Sequence, residues 1–146
     1  MPNSSSSTLI YALREALIAI EEEGLEARWA RHRRHYEALT RGLAAMGLDL
    51  LPPESERLWT LNAVKVPPGV DGAAVRQALL ERFNIEIGSG LGPLAGKISR
   101  VGLMGAGSTS SILTLFLGAL EDVLCGQGFQ MEPGAGVAAA EAPAIK

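Results

Sequence analysis

Apolar residues recur every three or four positions through the first third of the chain. The spacing then shortens toward alternation. In TLIYALREALIAIEEEG, from Thr8 to Gly24, the residues Leu9, Leu13, Ala16, Leu17 and Ile20 keep helical spacing. Ser6 or Ser7 stands where a helix cap belongs. Gly24 interrupts the pattern, which resumes as one long stripe of Leu25, Trp29, His32, Tyr36, Leu39, Leu43 and Met46. On this stripe Trp29 and Tyr36 read as core residues, and Gly47 is the natural C-terminal cap.

Beyond Gly47 the pattern predicts strands and shorter helices. Leu48–Leu51 reads as a weak first strand, ended by Pro52 and Pro53. The β-branched and apolar content of TLNAVKVP, Thr60 to Pro67, favours a second strand, and Pro67–Gly69 closes it. Asp71 caps a short helix with Val75, Leu79 and Phe83 on one face. IEIGSG, Ile85 to Gly90, is a short strand, and a glycine-rich loop leads from it into KISRVGLMG. Alternation there puts Ile98, Arg100, Gly102 and Met104 on one face and Ser99, Val101 and Leu103 on the other. A last helix follows, with Ser108 as its expected cap and Gly126 as its stop. Residues 126–146 are rich in Ala, Gly and Pro, show no periodicity, and read as disordered. The order α-α-β-β-α-β-β-α makes an α/β chain of the two-layer α+β kind. Its small, mostly antiparallel sheet carries helices on one face and follows two long helices.

Composition narrows the functional classes. The chain has 146 residues, 47% of them hydrophobic, which suits one globular domain with a real core. No apolar run approaches the roughly 20 residues of a membrane-spanning helix, so no membrane partner is expected. MPNSSSS has neither a basic region nor an apolar stretch of its own, unlike a secretory signal. With the single Cys125 unable to form an internal disulfide, this favours the cytoplasm. The net charge of −3 argues against nucleic acid. The basic run with Arg28, Arg31, Arg33, Arg34 and Arg41 surrounds its helix rather than striping it, and Glu21–Glu23 lie just upstream.

Candidate chemistry concentrates in GLGPLAGKISRVGLMG, Gly90 to Gly105. A nucleotide loop follows a strand and opens a helix, so that amides converge on the phosphate. Here the glycines lead into a strand instead, so Gly88, Gly90 and Gly92 read as turn formers or as a close backbone approach to a ligand. Arg100 has two readings. A guanidinium on a rigid strand can take a carboxylate with two parallel hydrogen bonds; the same residue can also be a surface arginine on the open face of a sheet. His32 and His35 share a helix face, but no third ligand stands at metal-binding spacing, so no metal is expected. Of the three lysines, Lys65, Lys97 and Lys146, Lys65 sits in a strand and Lys97 at the base of the glycine loop. Neither has a strong phosphate cradle or an aspartate placed to pair with a pyridine nitrogen, as a Schiff-base site needs.

Several strings resemble the class V, fold type I aminotransferases, and most of all the alanine–glyoxylate and serine–glyoxylate (serine–pyruvate) enzymes. They are LIYALREAL at Leu9–Leu17, EEGLEARWARHR at Glu22–Arg33, FNIEIGSGLG at Phe83–Gly92, and GLGPLAGKISRVGLMG at Gly90–Gly105. The resemblance runs from about Thr8 to Leu124 and implies the small C-terminal domain of such an enzyme. It implies a partition into a truncated linker or cap segment (1–7), long linking helices (8–47), the small domain (48–125) and a tail (126–146). Arg100 falls on the arginine that binds the substrate carboxylate in the family. Ser4 falls about where the family places a threonine that reaches the cofactor phosphate of the partner subunit, although the accompanying tyrosine is absent. The resemblance further implies pyridoxal 5′-phosphate in the parent enzyme and none on this chain alone. It implies a separate large catalytic domain that supplies the Schiff-base lysine, a homodimer, and small amino and oxo acids as substrates. By itself the chain would then be inactive and contain no catalytic residue. Two other readings remain open: a stand-alone α/β module that binds or senses a small acid, and a structural dimerisation domain.

Overall fold

In a computed structural model, residues 6–143 are described. The chain folds as two compact units, residues 1–31 and 32–146. In the first unit, α1 (Ser7–Glu23) buries none of its residues. Ser6 occupies the cap position without a side-chain hydrogen bond, and Gly24 ends the helix at φ 81°. The helix α2 (Leu25–Ala45) begins in this unit. Glu23 binds Arg28 at 2.8 Å and Arg31 at 2.5 Å. These bonds tie the last turn of α1 to the first turns of α2. Trp29, expected in the core, is 54% exposed.

The second unit holds the core. The rest of α2 buries His32, Tyr36, Leu39 and Leu43, as its stripe predicts. The amide of Leu48 bonds the Leu43 carbonyl and that of Gly47 the Ala44 carbonyl. Gly47 has φ +75°, the left-handed conformation that this ending of a helix requires. Next come β1 (Leu61–Lys65), α3 (Gly72–Phe83), β2 (Gly88–Ser89), β3 (Ile98–Gly102), α4 (Ser110–Gly126) and α5 (Ala135–Glu141). The sheet is antiparallel, in the order β1-β3-β2. Its core face carries Val64 and Val101, which pack with Leu79 of α3 and Phe116, Leu117, Leu120 and Leu124 of α4. This is the expected α+β arrangement.

Three local expectations change. Leu48–Leu51 makes a single bridge, Leu50 to Val64, because the turn at Gly47 and the prolines at 52 and 53 leave no length for a strand. The strand expected over Ile85–Gly90 is only Gly88–Ser89. Asn84 sits in the left-handed region at φ 55°, and Ile85 and Ile87 pack against the core instead of extending the ladder. The cap of α4 is Thr109, whose side chain accepts from the Ile112 amide. Ser108 is fully buried and meets the His35 ring at 2.9 Å. As expected, α4 ends at Gly126, and Gly128, at φ +85°, follows.

The tail is ordered as far as it is described, against the expectation of disorder. Phe129, Met131 and Val137 pack on the core. Arg41 donates to the carbonyls of Ala139, Ala140 and Ala142 at 3.1–3.3 Å and so satisfies the end of α5. Glycines let these elements meet. A Cβ on Gly42 would stand 2.9 Å from the Gly136 carbonyl oxygen and 2.6 Å from Leu117 Cδ1.

Candidate functional site

The open face of the sheet carries the site. Cross-strand partners share a face, so Leu61, Ala63 and Lys65 of β1 lie with Gly102, Arg100 and Ile98 of β3. Gly88 of β2 is the partner of Arg100 on the other side. Val101 and its neighbours on the core face hold the strand, so the base of the Arg100 side chain is rigid.

Arg100 is partly buried, and its guanidinium lies over β2. A Cβ on Gly88 would stand 3.1 Å from Nε and 3.2 Å from one terminal nitrogen. Nε–H donates to the Ser89 carbonyl at 2.8 Å. Among the described residues no carboxylate forms an ion pair with Arg100. The side chain therefore points across the glycine edge, neither into the core nor toward a distant acid. Its terminal nitrogens remain able to take an anion, and a planar carboxylate matches their geometry.

The glycine-rich loop is a compact rim beside this arginine. Leu94 N–H bonds the Leu91 carbonyl, Ala95 N–H that of Gly92, and Lys97 N–H that of Leu94. Gly92 takes φ +53°. Gly90 is buried, and a Cβ there would collide with the Leu94 carbonyl oxygen at 2.0 Å. The loop opens into β3 and not into a helix, so its amides do not converge as a phosphate cradle does.

The described residues do not fit pyridoxal phosphate by themselves. Lys65 is exposed and pairs with Asp49 at 3.7 Å, and Lys97 is exposed at the end of the loop. Neither has the dry surroundings that a Schiff-base lysine requires. Lys146 and Ser4, the latter expected near a cofactor phosphate, lie outside the described residues. His32 is buried in α2, while His35 contacts Ser108 and stands 3.4 Å from Ser110 Oγ. Two features escape sequence reading. The contact of His35 with Ser108 joins residues 73 apart, and the partner of Arg100 is a backbone carbonyl, which no residue type announces.

Fold and site together define a two-layer α+β domain that holds one guanidinium stiffly beside a glycine edge. No family model matches the chain. Sequence and structure both find relatives. The (S)-ureidoglycine–glyoxylate transaminase of Bacillus subtilis is 43% identical over 138 residues, which are 94% of this chain and 33% of that protein. Its crystal structure superposes with a TM-score of 0.89 and is covered to 35%. The serine–glyoxylate aminotransferase of Methylorubrum extorquens is 39% identical over 95% of this chain and 35% of its own. The crystal structure of an alanine–glyoxylate aminotransferase from Nostoc sp. matches 78% of this chain and 30% of that one, at 50% identity and a TM-score of 0.76. The chain belongs to the class V pyridoxal-phosphate-dependent aminotransferases and corresponds to their C-terminal part. It spans about a third of the length of the curated relatives it matches.

Proposed function

We propose that this chain is the small domain of an aminotransferase that moves an amino group from serine or alanine to glyoxylate or pyruvate, and that Arg100 anchors the substrate carboxylate. One observation carries the reading: a rigid, strand-borne guanidinium lies over Gly88, with its terminal nitrogens bound to no acid among the described residues. The amino donor and the oxo acceptor both carry a carboxylate next to the reacting carbon. A single fixed anchor therefore places that carbon in both half-reactions. Pyridoxal phosphate would supply the electron sink. The lysine that holds it, and most of the phosphate contacts, would come from a large domain beyond this chain. In this reading the chain alone is inactive and the parent enzyme is a homodimer.

The test uses the enzyme joined with its large domain. Arg100→Lys keeps the charge but loses the two-pronged geometry. It should weaken binding of both the amino acid and the oxo acid by about 2 kcal/mol, the scale of a hydrogen bond to a charged group. Steady-state KM values for both substrates check this. Unchanged KM values in Arg100→Lys and Arg100→Ala alike would remove Arg100 from the site.

A further inference from the structure

The Ser89–Gly90 peptide unit is held on both of its sides. Its N–H, from Gly90, bonds the Ile98 carbonyl of β3 at 3.1 Å. A trans peptide places the carbonyl opposite the N–H, so the Ser89 carbonyl faces away from β3, toward the free edge of the sheet. The Arg100 side chain crosses β2 above Gly88 to reach it, and Nε–H donates there at 2.8 Å. Glycine at position 88 leaves room for the guanidinium, and glycine at position 90 lets the following loop close against this peptide. A Cβ at position 90 would stand 2.0 Å from the Leu94 carbonyl oxygen, 2.6 Å from its carbon and 2.8 Å from Ile98 Cγ1. Two of these atoms are backbone, so a side chain at position 90 displaces either the Leu91–Lys97 loop or the peptide itself.

We infer that Gly90 is a positioning residue for Arg100, acting through the Ser89 carbonyl, and that the substrate carboxylate binds on the two terminal nitrogens of the guanidinium. Nε has one hydrogen, and the Ser89 carbonyl takes it. The side-on mode, through Nε and one terminal nitrogen, is thereby closed, and the end-on mode remains. This fixes the line along which the acid approaches β3. The inference rests on the reading of Arg100 as the substrate anchor.

The test compares Gly90→Ala and Arg100→Gln in the full-length holoenzyme. Gly90→Ala that folds should raise KM for the amino acid and for glyoxylate together by about tenfold, since misplacing an anchor by an ångström costs rate on that scale or beyond. The single half-reaction of a carboxylate-free amine such as ethylamine, followed without any oxo acid, should not change. Unchanged KM values in a folded Gly90→Ala, with KM raised in Arg100→Gln, overturn the inference and leave the anchor standing. Unchanged KM values in Arg100→Gln overturn both. If Gly90→Ala does not fold, a crystal structure of the wild-type holoenzyme soaked with glyoxylate decides. A carboxylate on both terminal nitrogens, with Nε still on the Ser89 carbonyl, supports the inference; a carboxylate on Nε with that carbonyl released overturns it.

Discussion

Glu23 is the residue whose ionisation the structure perturbs most clearly. The hydrogen bond from Arg31 is the largest cause; burial opposes it, and the charges of Arg31 and Arg28 add to it. Together they lower the Glu23 pKa from the usual 4.5 to about 2. The folded form therefore holds the carboxylate more tightly than the unfolded chain does. That contribution is present above pH 4.5 and is lost as the pH falls through 2. An NMR titration of the Glu23 carboxyl carbon should show a midpoint well below 4.5, and Arg31→Ala should return it toward 4.5. An unmoved midpoint in Arg31→Ala would deny that pairing. Charged residues of this kind are partly legible in sequence: EEE followed by spaced arginines announces a local offset of charge. Arg100 is legible in the same way, because its chemistry is in its own side chain. The Ser89 carbonyl is not legible, since any residue has one and only the ladder decides where it points.

At the scale of elements, the long periodic segments are the legible ones. The stripe of α2 from His32 onward and the apolar face of α4 needed no tertiary information, because 3.6-residue spacing is a property of one chain segment. The short elements depended on their neighbours. Ser108 and Thr109 are equally good caps by residue type, and only the burial of Ser108 against His35 leaves the role to Thr109. Segment α5 was hidden for a physical reason. Its docking relies on missing side chains, Gly42 against Gly136, and on carbonyls held by Arg41, so there is no apolar stripe to read. Gly42→Ala tests this packing. Alanine gains about 1 kcal/mol of helix propensity, but overpacking against Leu117 and a backbone carbonyl costs about 2 kcal/mol. The net loss should lower Tm by about 2–4 °C in thermal unfolding. A raised Tm would mean that α5 does not sit tightly on α2.

At the scale of the whole molecule, α1 presents a stripe of exposed apolar side chains. Leu9, Tyr11, Leu13 and Leu17 of α1 are 56–70% exposed, and no residue of that helix is buried. A helix with this stripe gains nothing in water by forming alone, since isolated helices of its length are marginal. Apolar faces this extended are ordinarily covered by other protein. The matched relatives are about three times as long as this chain. Two consequences follow for the 146-residue chain handled by itself. Its mass in sedimentation should rise with concentration, and it should enhance the fluorescence of an apolar dye. Leu9→Lys combined with Leu13→Lys should reduce both effects while leaving the second unit folded, because neither residue belongs to that core. Joined to the large domain, the wild-type chain should lose the dye signal. A chain that stays monomeric and silent toward the dye at every concentration would show that α1 satisfies its apolar face within these 146 residues.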